Sequence, residues 1–103
     1  MEYNAEIKEI VNSILSVVPA LEIYLFGSFA NGTATDDSDY DFYVVIPDGE
    51  LRAIEATWKI NSVIKSQTRG IDMLVGTQSR FDKYKNVYSI EKEVLNTGVK
   101  LYG

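Results

Sequence analysis

Short apolar runs of strand length alternate along the chain with longer segments of helical period, and this alternation restricts the fold more than any other feature. Ile7, Ile10, Val11, Ile14, Leu15 and Val18 recur at the i, i+3, i+4, i+7 spacing of one helix face. The spacing predicts a helix from about Asn4 to Val18, with Asn4 as cap, Glu6 in the first turn and Pro19 as stop. Leu21 to Phe26 reads as a strand closed by Gly27, and residues 27–38 as a Gly-, hydroxyl- and Asp-rich loop with room for one helical turn. Tyr40 to Ile46, dense in β-branched and aromatic residues and closed by Pro47-Asp48-Gly49, is a second strand. A helical pattern returns from Glu50 to about Gln67: Leu51, Ile54 and Trp58 lie on one side, with Ala53, Ala56, Ile60, Val63 and Ile64 adjacent. Ile71 to Val75 is a third strand, Arg80 to Lys85 a short helix or loop, and Ser89 to Asn96 a helix with Ser89 as cap and Gly98 at the C′ position. Val99 to Tyr102 is a last short strand. The mixed order implies an α/β fold, one sheet packed against helices, with residues 1–103 as a single domain. Tyr40, Phe42 and Trp58 are expected in its core.

Composition narrows the chemistry. The 103 residues include no cysteine and no histidine. Disulfide frameworks, zinc fingers, thiol nucleophiles and imidazole bases are therefore excluded. Carboxylates, hydroxyls, Tyr and Lys remain, and the metals that suit such oxygen donors are hard cations such as Mg²⁺ or Ca²⁺. Ten Lys+Arg against fifteen Asp+Glu give a formal charge of −5. That balance argues against an extended nucleic-acid surface, which needs Lys and Arg along a phosphate backbone. No apolar run reaches the roughly 20 residues of a membrane span, and the acidic start, Met-Glu-Tyr-Asn, shows no secretory signal. A cytoplasmic protein is the expectation.

Four of the seven Asp residues fall between positions 36 and 41. Alternation along a strand puts Asp39 and Asp41 on one face, about 6–7 Å apart, with Tyr40 and Phe42 turned to the core. Two carboxylates so placed repel each other unless a cation lies between them. Asp72 is a single charge in the apolar run Ile71-Asp72-Met73-Leu74-Val75, and such a residue avoids an apolar core. If that strand neighbours the second, the three carboxylates form one cluster, which with substrate phosphates suits a two-Mg²⁺ site for in-line displacement at phosphorus. Gly27-Ser28, at the end of the first strand, offers backbone N–H groups and a hydroxyl to a phosphate. A calcium loop fails on its template: Phe42 stands where the turn needs Gly, and Asp48 where the bidentate Glu belongs.

Gly27-Ser28, ten intervening residues, Asp39-x-Asp41 and then Asp72 in a later strand resemble the signature of the DNA polymerase β-like nucleotidyltransferases. More closely the chain looks like the minimal nucleotidyltransferases, and the resemblance spans most of it. The resemblance implies a small mixed sheet of about four strands flanked by helices, the polymerase β-like palm. It implies transfer of a nucleoside monophosphate, usually AMP from ATP, to an acceptor hydroxyl. On that resemblance Gly27, Ser28 and Ser38 would hold the triphosphate, and Asp39 and Asp41 the two Mg²⁺ ions. Asp72 would help bind the catalytic metal and accept the acceptor's proton. Many relatives carry an Arg two or four residues after the Gly; here Phe29 and Asn31 stand there, leaving Arg69, Arg80, Lys83 or Lys85 to supply a cation. With no room expected for an acceptor domain, the acceptor would bind a small exposed cleft or come on another protein. Minimal nucleotidyltransferases are commonly paired with a separate HEPN protein, a toxin for which the enzyme is the antitoxin, so the resemblance implies such a partner. A non-catalytic nucleotide- or partner-binding module and a small-molecule nucleotidyltransferase are the competing readings.

Overall fold

A computed structural model describes residues 5–64 and 69–103. The chain runs α1 (Ala5–Val17), β1 (Glu22–Phe26), α2 (Ser28–Asn31), β2 (Tyr40–Ile46), α3 (Ala53–Val63), β3 (Ile71–Thr77), α4 (Gln78–Tyr84), α5 (Ile90–Thr97) and β4 (Val99–Tyr102). The strands form one mixed sheet in the order β3-β2-β1-β4. β2 pairs antiparallel with β1 and parallel with β3, and β1 pairs antiparallel with β4. The expected small mixed sheet flanked by helices is therefore the observed fold. Among the described residues, no helix is long and apolar enough to cross a membrane.

The central strand shows why the sheet has two covered faces. Every residue of β2 is buried except Asp41, the signature of a strand with helices on both sides. On one face Tyr40, Phe42, Val44 and Ile46 join Ile23 and Leu25 of β1 and meet Ile7, Ile10 and Ile14 of α1 and Ala56 and Ile60 of α3. The Tyr40 hydroxyl donates to Glu6 Oε1 at 2.7 Å and so ties α1 to β2. On the other face Tyr24, Phe26, Tyr43 and Val45 pack with Phe81 of α4 and Val94 of α5. Here the Phe81 ring lies 5.6 Å from Tyr24 and 5.5 Å from Tyr43, centroid to centroid.

A buried carboxylate anchors this second layer. Glu91 of α5 is 2% exposed; it accepts from the Tyr43 hydroxyl at 2.8 Å and from Arg80 Nε at 3.1 Å. A charge so enclosed needs partners of this kind. Burial and the Glu91 carboxylate together push the Tyr43 phenol up, so it stays a donor. Gly76 of β3 makes the space, since a Cβ there would overlap the Tyr43 hydroxyl.

Three expectations need correction. Trp58 is not core: it is 62% exposed. The helix buries Ala56 and Ile60, and a residue two positions from each points about 200° away, at 100° per residue. Of the two apolar stripes on this segment, the one that carries Ala56 and Ile60 faces the sheet. The helix is also shorter than its pattern, ending at Val63 with Ile64 already extended; Gln67, like Asn4, lies outside the described residues. Its start is fixed by Glu55, which accepts from the Arg52 backbone N–H at 3.3 Å and from Arg52 Nε at 3.0 Å. Finally, Gly98 is not a left-handed cap, having φ −77° and ψ 164°. It is required for closeness instead: a Cβ would overlap the Val94 carbonyl and lie 3.2 Å from that of Leu25.

Candidate functional site

The ends of β1, β2 and β3 bring the motif residues together. β1 ends at Phe26, paired with Asp41. Gly27 then turns the chain with φ 73° and ψ −150°, a conformation that only glycine adopts readily. It has a second reason to be glycine, because a Cβ would overlap Asp41 Oδ2. α2 follows as one turn, closed by Ala30 and Asn31 N–H groups donating to the Gly27 carbonyl at 3.1 Å. Its first N–H groups, at and after Ser28, have no acceptor within the helix. Gly32, at φ 82°, ends it.

Asp41 and Asp72 stand directly opposite each other in the parallel β2–β3 register. Asp41 is half-buried; Asp39 and Asp72 are exposed. Burial raises the Asp41 pKa to about 6, helped by a hydrogen bond with the Asp72 carboxyl and by the charges of Asp72, Asp39 and Glu93. Asp39 precedes β2 and lies against the start of β3, where a Cβ on Gly70 would come 2.6 Å from its Oδ1. Each of the two carboxylates of the Asp-x-Asp pair thus rests in a notch left by a glycine, Asp41 at Gly27 and Asp39 at Gly70.

The loop before Asp39 is built by polar contacts. Thr35 N–H donates to Ser38 Oγ at 2.8 Å, and Ser38 N–H to the Thr35 carbonyl at 3.1 Å. The Ser38 hydroxyl therefore braces the loop. Arg69 Nη1 donates to the carbonyls of Thr35, Asp36 and Ser38 at 2.8–3.0 Å. Its guanidinium also covers the Phe29 ring, with 4.9 Å to the centroid, and Phe29 in turn lies 4.7 Å from the Tyr40 ring.

Of the four cations named as substitutes for the missing arginine, only Arg69 is seen in contact with the loop and turn around the carboxylates. Arg80 is bound to Glu91, Lys85 pairs with Asp82 at 3.2 Å, and Lys83 covers the Tyr84 ring. Sequence reasoning missed Gly70 and the charge of Glu93. The dipeptide Arg69-Gly70 directly before an Asp-bearing strand was the available signal; Glu93 had none, because nothing local relates α5 to β2.

The donor set fits a hard cation in kind. It is all oxygen, and Asp41, whose pKa is raised beside the facing Asp72, is a carboxyl that a divalent ion would relieve. It is not a finished cage: among the described residues, no group of three or more acidic side chains converges on one point. Mg²⁺ is commonly held by one or two carboxylates plus substrate phosphates, so an incomplete protein shell is compatible with it.

Comparison with known proteins agrees with this geometry. A family model described as nucleotidyltransferase domain matches residues 5–99. No curated protein matches the chain. Among solved structures, a chain from Sulfolobus solfataricus assigned to the nucleotidyltransferases is 26% identical with a TM-score of 0.63, over 92% of this chain and 75% of its own. A toxin–antitoxin structure with AMP-PNP is 23% identical with a TM-score of 0.69, over 97% and 74%. A double Asp-to-Glu variant of the MntA–HpeT toxin–antitoxin is 21% identical with a TM-score of 0.67, over the same shares. At that identity the last two attest the fold.

Proposed function

The chain belongs to the nucleotidyltransferase domain family, and from that premise we propose that it moves AMP from ATP to a hydroxyl on a partner protein. The observation that carries this reading is the Asp41–Asp72 pair, side by side on neighbouring strands next to the Gly27 turn, with Asp39 directly before β2. Ser28 and the free N–H groups of α2 receive the phosphates, with Ser38 holding the loop on the other side. Asp39, Asp41 and Asp72 are the residues to hold Mg²⁺, which supplies charge neutralisation and Lewis acidity at the phosphates. The acceptor oxygen bonds to the α-phosphorus as the bond to the leaving pyrophosphate breaks, and the hydroxyl proton passes to Asp72. The work of the protein in such a step is alignment and charge placement, for which histidine is unnecessary. The toxin–antitoxin neighbours support a partner protein as acceptor; in this reading the partner is a toxin, of the HEPN type that the family resemblance implies, and this chain is its antitoxin.

The test is label transfer from α-labelled ATP to the product of the adjacent gene in the presence of Mg²⁺. Wild type is expected to label it and Asp39→Ala to lose at least a hundredfold of the rate, since an oriented charge of this kind contributes about 10²–10³. No transfer by wild type, or equal transfer by Asp39→Ala, refutes the reading. A non-catalytic binding module is the second reading, favoured by the incomplete convergence of the carboxylates. It requires full neutralisation of the partner by Asp41→Ala. A small-metabolite acceptor would instead be labelled without any partner.

A further inference from the structure

Asp39 is the most weakly placed of the three carboxylates. It sits outside the β2 ladder, exposed, at the end of a loop whose residues 35–37 are also exposed. Such a segment has little apolar packing to fix it, yet a site for phosphoryl chemistry needs its charges held to about half an ångström. We propose that the dipeptide Arg69-Gly70 is the positioning device for Asp39, holding its loop and shaping its carboxylate's seat from the start of β3. This rests on the reading of the site as a nucleotidyl-transfer centre.

Three carbonyls, of Thr35, Asp36 and Ser38, converge on a single nitrogen of Arg69. Without that cation they would face one another with their dipoles aligned unfavourably, so the loop takes this shape because the guanidinium is there. The same group lies over the Phe29 ring, 4.9 Å from its centroid. One side chain thereby links the loop that ends in Asp39 to the turn that begins at Gly27-Ser28. The position taken by Phe29 in the motif acquires a purpose: it is the platform for Arg69.

Gly70 acts on the carboxylate itself. Its backbone is not among those with positive φ, so glycine is not demanded by conformation. It is demanded by space, since a Cβ would lie 2.6 Å from Asp39 Oδ1 and 3.0 Å from Cγ. The Gly70 carbonyl meanwhile accepts from Tyr40 N–H at 3.0 Å, extending the β2–β3 pairing to the residue after Asp39. Gly70→Ala should therefore displace one carboxylate and leave the backbone as it is.

The experiment is Mn²⁺ binding to the full chain without nucleotide, read from the electron paramagnetic resonance of the free ion. Arg69→Ala and Gly70→Ala are compared with wild type and with Arg52→Ala, whose ion pair lies at the start of α3. Both test variants are expected to weaken Mn²⁺ about tenfold or more, the usual effect of losing an outer-sphere support, while Arg52→Ala binds as wild type. In the transfer assay they should lower kcat and raise the half-saturating metal concentration, with KM for ATP moving less. Mn²⁺ affinity within twofold of wild type in Gly70→Ala overturns the proposal, and that variant decides alone if Arg69→Ala does not fold. If the wild-type chain binds Mn²⁺ only with nucleotide present, the half-saturating metal concentration of the transfer assay decides instead, and a value within twofold of wild type in Gly70→Ala overturns the proposal. Intact metal binding with no transfer to any acceptor would instead refute the transfer reading and leave the positioning role to be judged by Mn²⁺.

Discussion

Asp41 is the one residue of β2 that is not fully buried, and it carries the strongest electrostatic conflict seen in the site. Its carboxyl is shifted upward from 3.8 to about 6, first by burial and then by Asp72. The sign of the consequence follows from proton counting. Between those two values the folded chain holds a proton that the unfolded chain has released, so stability contributed by this group is present at low pH and lost as pH rises through about 6. Thermal unfolding of wild type should therefore show a decline across that window that is absent in Asp41→Asn. At pH 7.5 the variant should melt a few degrees higher than wild type, about what 1 kcal/mol does to a domain of this size. Added Mg²⁺ should raise the wild-type midpoint and leave the variant nearly unmoved. A variant that melts lower than wild type at pH 7.5 would show that the conflict is not there. At this scale the sequence was legible wherever a residue was defined by its neighbours along the chain. The spacing of Asp39 and Asp41 and the isolated charge of Asp72 named the carboxylates. Gly70 and Glu93 were not legible, because their meaning comes from residues tens of positions away.

Among the elements, β2 and its two coverings divide the labour. The face toward α1 and α3 is apolar apart from the Tyr40 hydroxyl, which Glu6 accepts, while the face toward α4 and α5 carries Asp41 at one end. Tyr43, two residues from Asp41 on that face, is the joint between the two regimes, because its hydroxyl donates to the buried Glu91. Tyr43→Phe should destabilise the chain by about 1–2 kcal/mol, the cost of removing one partner from a buried carboxylate. Urea unfolding followed by circular dichroism measures this; a change under 0.3 kcal/mol would mean that Arg80 alone satisfies Glu91. The strands were legible in the sequence, β2 to the residue, because β-branched and aromatic runs bounded by Gly and Pro have few other uses. The orientation of α3 was not. Two stripes of apolar residues compete there, and which one faces a sheet depends on how much room the sheet leaves. With Tyr40, Phe42 and the partly buried Met73 already filling the space, Ala56 and Ile60 fit and Trp58 does not.

For the molecule as a whole, the exposed Trp58 is a useful reporter, because it is the chain's one tryptophan. Its emission should be that of a water-exposed indole and be quenched readily by iodide, and Trp58→Ser should change stability by no more than about 0.5 kcal/mol. A blue-shifted, protected emission would place the side chain inside after all or under a partner copy. The net charge of −5 also has a clearer meaning at this scale. Part of it is gathered at one end of the sheet as Asp39, Asp41 and Asp72, with Glu93 near enough to act on Asp41, rather than spread as a solvating coat.

The facing of Asp41 and Asp72 across two parallel strands has one more consequence, for the register of the sheet itself. A one-residue slip of β3 along β2 would turn Ile71, Met73 and Val75 out to solvent and drive Asp72 in among the side chains beneath α1 and α3. Strands that are apolar on both faces slide past one another at little cost, and β3 without its aspartate would be close to that case. The residue that makes the assembled site electrostatically uncomfortable is therefore also the one that makes a one-residue slip costly, so that the same carboxylate acts as a key to which face β3 turns inward.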